Sequence, residues 1–400
     1  MCKTDIDNII FFPHKLDIRA GGPSGYIANL QKRIADSDNI KIISQEKFYT
    51  DSFQILKFFI KFIPFKKYRK KLRLRINLAK MFSKRLPLFF YLKLRHYHFK
   101  TIICHRVWDV PMVKNYVAKH NPTAKVLLMS HSPQAPSDEY WEASDEELKK
   151  HTSLNDIKKF EKEAFEQADS FVFPSPEATE PYALSVSYFE ELKKNKSFYY
   201  IPTGANRIEI NKNKEQLRTQ YNISTPYIIS YLGRHNEIKG YDLLKIIAQK
   251  VLAERDDVTF LIAGNPSPDI LPLEHPKWIE VGRTHPSNIL SVADLFILPN
   301  RQTYFDLVLL EVLSAGVPVL ASDTGGNKSV YNQTKAIQLY NTTDDCVRLI
   351  QDFFKLSKEK RSELSEVCLR AYLDNYTPEL FAENYKNLIK KIIKDMEKSS

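Results

Sequence analysis

Three short stretches hold residues suited to a bound anion. The first is Gly233-Arg234-His235-Asn236-Glu237-Ile238-Lys239-Gly240, lying between an apolar run at 227–232 and a helical pattern at 240–253. The second, Gly264-Asn265-Pro266, follows an apolar run at 258–263, and the third spans 300–306 after another at 295–299. A guanidinium grips two phosphate oxygens side by side, an ammonium adds a point charge, and N–H groups at a helix start add dipoles. Arg234 and Lys239 sit on one strand-to-helix turn and are the residue types a diphosphate needs. A solvated loop carrying two ordinary surface cations has the same sequence, so the turn alone leaves both readings open.

Such residues need a frame. Short apolar runs at 8–13, 101–104, 126–130 and 170–174 are each followed by polar residues and then helical spacing. After a polar stretch at 206–225 the pattern restarts with runs at 227–232, 258–263, 279–281, 295–299 and 317–322, with helical patterns at 240–253, 286–291 and 307–315. This alternation predicts an α/β protein with parallel sheets, whose ligands bind beyond the carboxyl ends of the strands. A length of 400 residues suits two domains, and 43% hydrophobic with 27% charged residues is a globular composition. We expect residues 1–205 to form one domain, 206–380 a second, and 381–400 a helix returning to the first.

Four scattered cysteines, Cys2, Cys104, Cys346 and Cys368, include no CxxC pair and predict structural thiols in a reducing compartment rather than disulfides or zinc. Lys3, Asp5 and Asp7 precede the first apolar run, which does not read as a secretory leader, and no run of 18 apolar residues occurs. A cytoplasmic address is expected.

The segments "YLGRHNEIKGYDLL", "FLIAG", "VGRTHPSNILSVADLFILPN" and "LVLLEVLSAGVPVLASDTGGN", in that order, resemble the donor half of GT-B-fold glycosyltransferases of family 4, the group 1 type. The resemblance covers 228–327 well and the first half loosely. It implies two Rossmann-like parallel-sheet domains facing a central cleft. The implied reaction transfers a sugar from a nucleoside diphosphate sugar, UDP-sugar favoured, to an acceptor hydroxyl. Configuration is retained, and no metal or cofactor is needed. The expected donor site comprises Gly22, Gly233, Arg234, Lys239, Gly264, Asn265, Thr303, Asp306, Leu307, Val308 and Glu311, with Arg234, Lys239 and His131 in catalytic roles. Arg234 and Lys239 would hold the diphosphate, Glu311 the ribose hydroxyls, and Leu307 and Val308 would offer backbone N–H groups. Gly21, Gly22 and Gly25 resemble the family's glycine turn. His131, in "MSHSPQAP", aligns with a histidine near the transferred sugar, and a satisfied structural histidine fits there as well. His105, Ser175 and Glu177 follow strand ends and are weaker candidates.

Two positions depart from the family. Thr303 stands where the first glutamate of the E-x7-E motif belongs, and Asp306 stands where a small residue is usual. Asp306 directly precedes a helix and is read either as an N-cap or as a ligand for sugar hydroxyls. Thr303 also keeps open a catalytically silent protein that binds sugar nucleotide or a partner.

Net charge is +11, yet fifteen Lys and Arg and no Asp or Glu fall between positions 56 and 100, so the rest is slightly acidic. Lys and Arg there alternate with Phe, Tyr, Leu and Ile, as an anionic membrane surface requires. A solvated helix pair is the plainer reading. No nucleic-acid recognition motif is present, and nucleic acid is not expected as a partner. The expected partners are the sugar-nucleotide donor, a glycan or lipid-linked acceptor, and the inner membrane face.

Overall fold

The computed structural model describes residues 3–17, 22–45, 60, 62, 64–210, 213–266 and 270–399. The chain divides into two compact units. Unit 1 is Met1–Phe173, Tyr182–Ile201 and Ala382–Ser400, and unit 2 is Pro174–Pro181 with Pro202–Phe381.

Unit 1 is built on strands β1 (Thr4–Phe12), β2 (Ile40–Ser44), β3 (Tyr97–Cys104), β4 (Lys125–Leu128), β5 (Ser170–Phe173) and β6 (Ser197–Tyr200). They form one sheet in the order β2-β1-β3-β4-β5-β6, every pair parallel. Strand order turns back at β1, so β1 and β3 part into crossovers on opposite sides and leave a crevice at their carboxyl ends. Helix α1 (Gly22–Gln31) follows β1, α2 (Lys66–Met81) precedes β3, and α3 (Leu154–Gln167) precedes β5. Ser153 starts α3 with a reciprocal cap, its hydroxyl accepting from Asp156 N–H.

Unit 2 carries β7 (Tyr227–Leu232), β8 (Val258–Ala263), β9 (Trp278–Glu280), β10 (Leu295–Leu298), β11 (Val319–Ser322) and β12 (Gln338–Tyr340). The sheet order is β12-β11-β10-β7-β8-β9, again parallel throughout. Strand β7 is the turning point, flanked by β8 and β10. Side chains alternate across it. Ile228 and Leu232 face a core closed by α5 (Leu307–Ser314) and α8 (Lys358–Asn375) through Leu309, Leu313, Cys368 and Tyr372. Ile229 and Tyr231 face the opposite core, closed by α4 (Tyr241–Glu254) and α7 (Thr343–Lys355) through Leu244, Ile247, Ile350 and Phe353. Burial on both faces explains why these strands read as continuous apolar runs. A further helix, α6 (Gly325–Thr334), follows β11.

Cys104, Cys346 and Cys368 are buried free thiols, whereas Cys2 lies outside the described residues. Among the described residues no helix is long and apolar enough to cross a membrane.

Candidate functional site

The loops after β7 and β10 meet at the turning point of the second sheet, and a glycine makes the meeting possible. Gly240 has φ +66°, and a Cβ there would lie 1.7 Å from the Pro299 carbonyl oxygen. Only glycine lets the two backbones approach this closely. Arg301 braces the same junction. Its N–H donates to the Ile238 carbonyl at 3.0 Å, and its guanidinium grips both Asp242 carboxylate oxygens at 2.5 and 2.6 Å. The loops after β7 and β8 are joined too. His235 N–H donates to the Asn265 carbonyl at 3.1 Å, and Gly264, at φ +153°, lies against the Gly233 carbonyl.

Inside the first loop, His235 is buried and anchors the turn. Its ring stacks on Tyr241 at 4.2 Å, its Nδ1 lies 3.7 Å from Glu280, and burial lowers its pKa. Tyr231 donates from its hydroxyl to the Arg234 carbonyl at 2.9 Å, ordering the backbone while the Arg234 side chain stays exposed. Arg234 has no ion-pair partner among the described residues.

Lys239 is different. Its ammonium lies 2.5 Å from the Asp306 carboxylate, which also accepts from Asn300 Nδ2 at 2.9 Å. Asp306 is the N-cap residue of α5 by position, but its side chain makes no cap hydrogen bond and is engaged by Lys239 and Asn300 instead. Burial would raise the Asp306 pKa, but the Lys239 charge and hydrogen bond outweigh it and hold the group below its ordinary value, with help from Asn300 and the nearby Val308 N–H. Leu307 and Val308 open α5 as half-buried residues.

Glu311 lies one turn further along α5, partly buried, with no side-chain partner among the described residues. Desolvation, reinforced by the Asp306 charge, pushes its pKa up to about 7. A carboxylate held in this way has acceptor capacity to offer a ligand. Thr303 is buried, and its carbonyl accepts from Gly326 N–H at 3.3 Å. The start of α6 is taken by protein: Glu180 accepts from Gly325 N–H at 2.9 Å and pairs with Lys328 at 3.0 Å.

In unit 1, Gly22 opens α1 at φ +64°, while Gly21 lies outside the described residues. His131, after β4, hydrogen bonds through Nε2 to His105 Nδ1, after β3, at 2.9 Å, and Tyr26 of α1 packs edge-on against His131. Burial pushes the His131 pKa down to about 3. Ser175 and Glu177 serve structure: Ser175 accepts from Ala178 N–H and Glu177 from Asn332, both within unit 2. No group of three or more metal-ligating side chains occurs among the described residues.

The structure thus brings Gly233, Arg234, Lys239, Gly264, Asn265, Thr303, Asp306, Leu307, Val308 and Glu311 to one end of the second sheet, with Gly22 and His131 on unit 1. Asn300, Arg301, His235 and Asp242 were not singled out from sequence. For His235, Asn300 and Arg301 the signal was a polar residue shortly after an apolar strand; Asp242 lies in the first turn of α4, and no local pattern pairs it with Arg301 across 59 positions.

The sequence profile described as "Glycosyl transferases group 1" matches residues 226–356. Among curated proteins, the N-acetyl-alpha-D-glucosaminyl L-malate synthase of Bacillus anthracis is 23% identical over 204 residues, covering 47% of this chain and 52% of that protein. The chain spans about half the length, or less, of the curated relatives it matches. Sucrose-phosphate synthase from Thermosynechococcus elongatus superposes with a TM-score of 0.65 at 16% identity, covering 98% of this chain and all of that one. Anabaena HepE, solved with UDP and glucose, gives 0.59 at 12% identity, covering 96% and 99%. These two likenesses establish the fold.

Proposed function

We propose that this chain, whose residues 226–356 match the profile of the group 1 glycosyl transferases and which has a GT-B fold, transfers a sugar from a nucleoside diphosphate sugar to an acceptor hydroxyl. The observation that carries the reading is the unpartnered Glu311 carboxylate near the Lys239–Asp306 pair, with an exposed Arg234 that has no ion-pair partner among the described residues on the loop that carries Lys239. Two adjacent ribose hydroxyls would supply the donors Glu311 lacks. Arg234 would grip the diphosphate, Lys239 would turn from Asp306 towards it, and both would stabilise the charge that grows on the leaving nucleotide. The acceptor oxygen would attack from the face the nucleotide leaves, retaining configuration. These cations and the start of α5 supply the positive charge the mechanism calls for, so none of its steps uses a metal. His131, neutral through burial, would hydrogen bond the transferred sugar rather than titrate during turnover.

UDP-sugar is the favoured donor because a structural neighbour was solved with UDP and glucose, and a relative's name supports a hexosyl or N-acetylhexosaminyl group. A glycan or lipid-linked acceptor in cell-surface polysaccharide or glycolipid synthesis fits this chemistry. A cytoplasmic protein peripheral to the inner membrane face is in keeping with unit 1. There α2 exposes Lys66, Tyr68, Lys71, Arg73 and Arg75 and buries Leu74 and Ile76, while Phe62 and Phe65 beside it are 71% and 65% exposed. Cations interleaved with exposed rings complement an anionic lipid surface. Buried Thr303, in place of the motif glutamate, favours the second reading of a silent sugar-nucleotide binder.

Incubation with a panel of nucleotide sugars, following release of the free nucleoside diphosphate, separates the two. Transfer activity requires release that falls in Arg234→Ala and Lys239→Ala. Binding without release supports the silent reading.

A further inference from the structure

We propose that His105 is a positioning residue for His131, donating from its Nδ1 to His131 Nε2 and so holding the His131 proton on Nδ1. The two nitrogens are 2.9 Å apart and the rings lie within 20° of parallel. A contact this short between two imidazoles needs one proton between them, and two arrangements supply it. If His131 donated from Nε2, His105 would carry its own proton on Nε2. That atom is buried in a residue only 1% exposed and has no hydrogen-bond partner among the described residues. An orphaned buried N–H is rarer in proteins than an under-used acceptor. If His105 donates instead, its Nε2 is a bare lone pair and the pair stays uncharged. Charging either ring is opposed by burial, which lowers both pKa values.

The surroundings hold this arrangement in place. His105 ends β3 and His131 follows β4, neighbouring strands whose register pairs Cys104 with Leu128. Tyr26 packs on both rings, at 5.5 Å from His105 and 5.0 Å from His131. Arg106, next in sequence, donates to His14 after β1, so the adjacent cation is directed at another imidazole. Which His131 nitrogen carries the proton decides whether it presents a donor or an acceptor from Nδ1. The consequence for turnover rests on the glycosyl-transfer reading, whereas the tautomer does not.

The test is long-range proton–nitrogen correlation spectroscopy on the full chain labelled with nitrogen-15, near pH 7.5. His131→Asn identifies the His131 signals among the ten histidines. The wild type should show His131 neutral with Nδ1 protonated. His105→Phe should shift it towards the other tautomer, and His105→Asn, whose amide donates from nearly the same point, should restore it. With UDP-glucose as donor, kcat should fall on the order of 10-fold in the Phe variant with little change in KM, and recover in the Asn variant. Circular dichroism shows whether the variants fold. The proposal is overturned if wild-type His131 is protonated on Nε2, or if its tautomer is the same with Phe at 105. A tautomer shift that leaves kcat unchanged also overturns the positioning role. If the wild type turns over no sugar nucleotide, the functional reading fails while the spectrum still decides the hydrogen bond.

Discussion

The ammonium of Lys239 and the carboxylate of Asp306 lie 2.5 Å apart at the crevice between β7 and β10, with side chains 17% and 10% exposed. The cation expected to hold a diphosphate is therefore engaged by a carboxylate that the family pattern does not provide. On the proposed function, nucleotide binding would have to compete with that pair.

Replacing Asp306 by Asn should show the competition. Removing the charge leaves Lys239 half-buried and unpaired, so the free protein should lose about 1–3 kcal/mol. UDP, measured by calorimetry, should bind about 10-fold more tightly because Lys239 is released to the phosphates. Weaker UDP binding would mean that Asp306 contacts the nucleotide favourably. The pair also has an acid limit. The Asp306 pKa is lowered on folding, so its stabilisation is present above the ordinary Asp value and is lost as pH falls through the folded value.

Glu311 carries the opposite sign. Its folded pKa is raised to about 7, so the free protein is favoured by protonation at acidic pH and loses that contribution as pH rises from the ordinary Glu value through 7. On the proposed function, the ionised carboxylate would accept from both ribose hydroxyls, which the protonated acid, with one oxygen carrying a proton, would not. Affinity for a UDP-sugar, whose diphosphate does not titrate in this range, should therefore rise with pH through about 7. Glu311→Gln should bind about 10-fold more weakly and flatten the profile. A flat wild-type profile would remove Glu311 from the ribose.

Gly240→Ala tests the junction that carries Lys239. The φ of +66° and the Pro299 carbonyl at 1.7 Å from a new Cβ leave no room for a methyl group. The substitution should cost about 2 kcal/mol or more, read as a lower melting temperature, and weaken UDP binding together with it. Gly282→Ala shares a φ of +66° but meets nothing within 4 Å, so it should cost only about 1 kcal/mol.

For the basic face, sedimentation with vesicles is decisive. The protein should pellet with phosphatidylserine-containing vesicles at low salt, remain in solution with neutral ones, and be released by about 0.5 M salt. Glu at Lys66, Lys71 and Arg73 together should abolish pelleting and leave nucleotide affinity intact. Equal pelleting with neutral vesicles would contradict the charge argument.

Much of this frame was legible because central strands of a parallel sheet are buried on both faces and read as apolar runs. The edge strands β6 and β12 were not. Ser197–Tyr200 and Gln338–Tyr340 are short, and only one residue in each is buried. The glycine turns and the Arg234 to Lys239 spacing were visible as local pattern. The Lys239–Asp306 and Arg301–Asp242 pairs join residues 67 and 59 positions apart, and only the strand order brings them together. Asp306 read as either a cap or a sugar ligand because its position before α5 is local information, whereas the cation that engages it arrives from another loop.

The most direct test of the central claim is calorimetric titration of UDP into the wild type and Arg234→Ala. The wild type should bind at one site per chain, and the variant should lose about 10- to 100-fold in affinity, as expected for a removed charge-assisted contact. Equal affinity in both proteins, or no binding of UDP, GDP or ADP to the wild type, would contradict that claim.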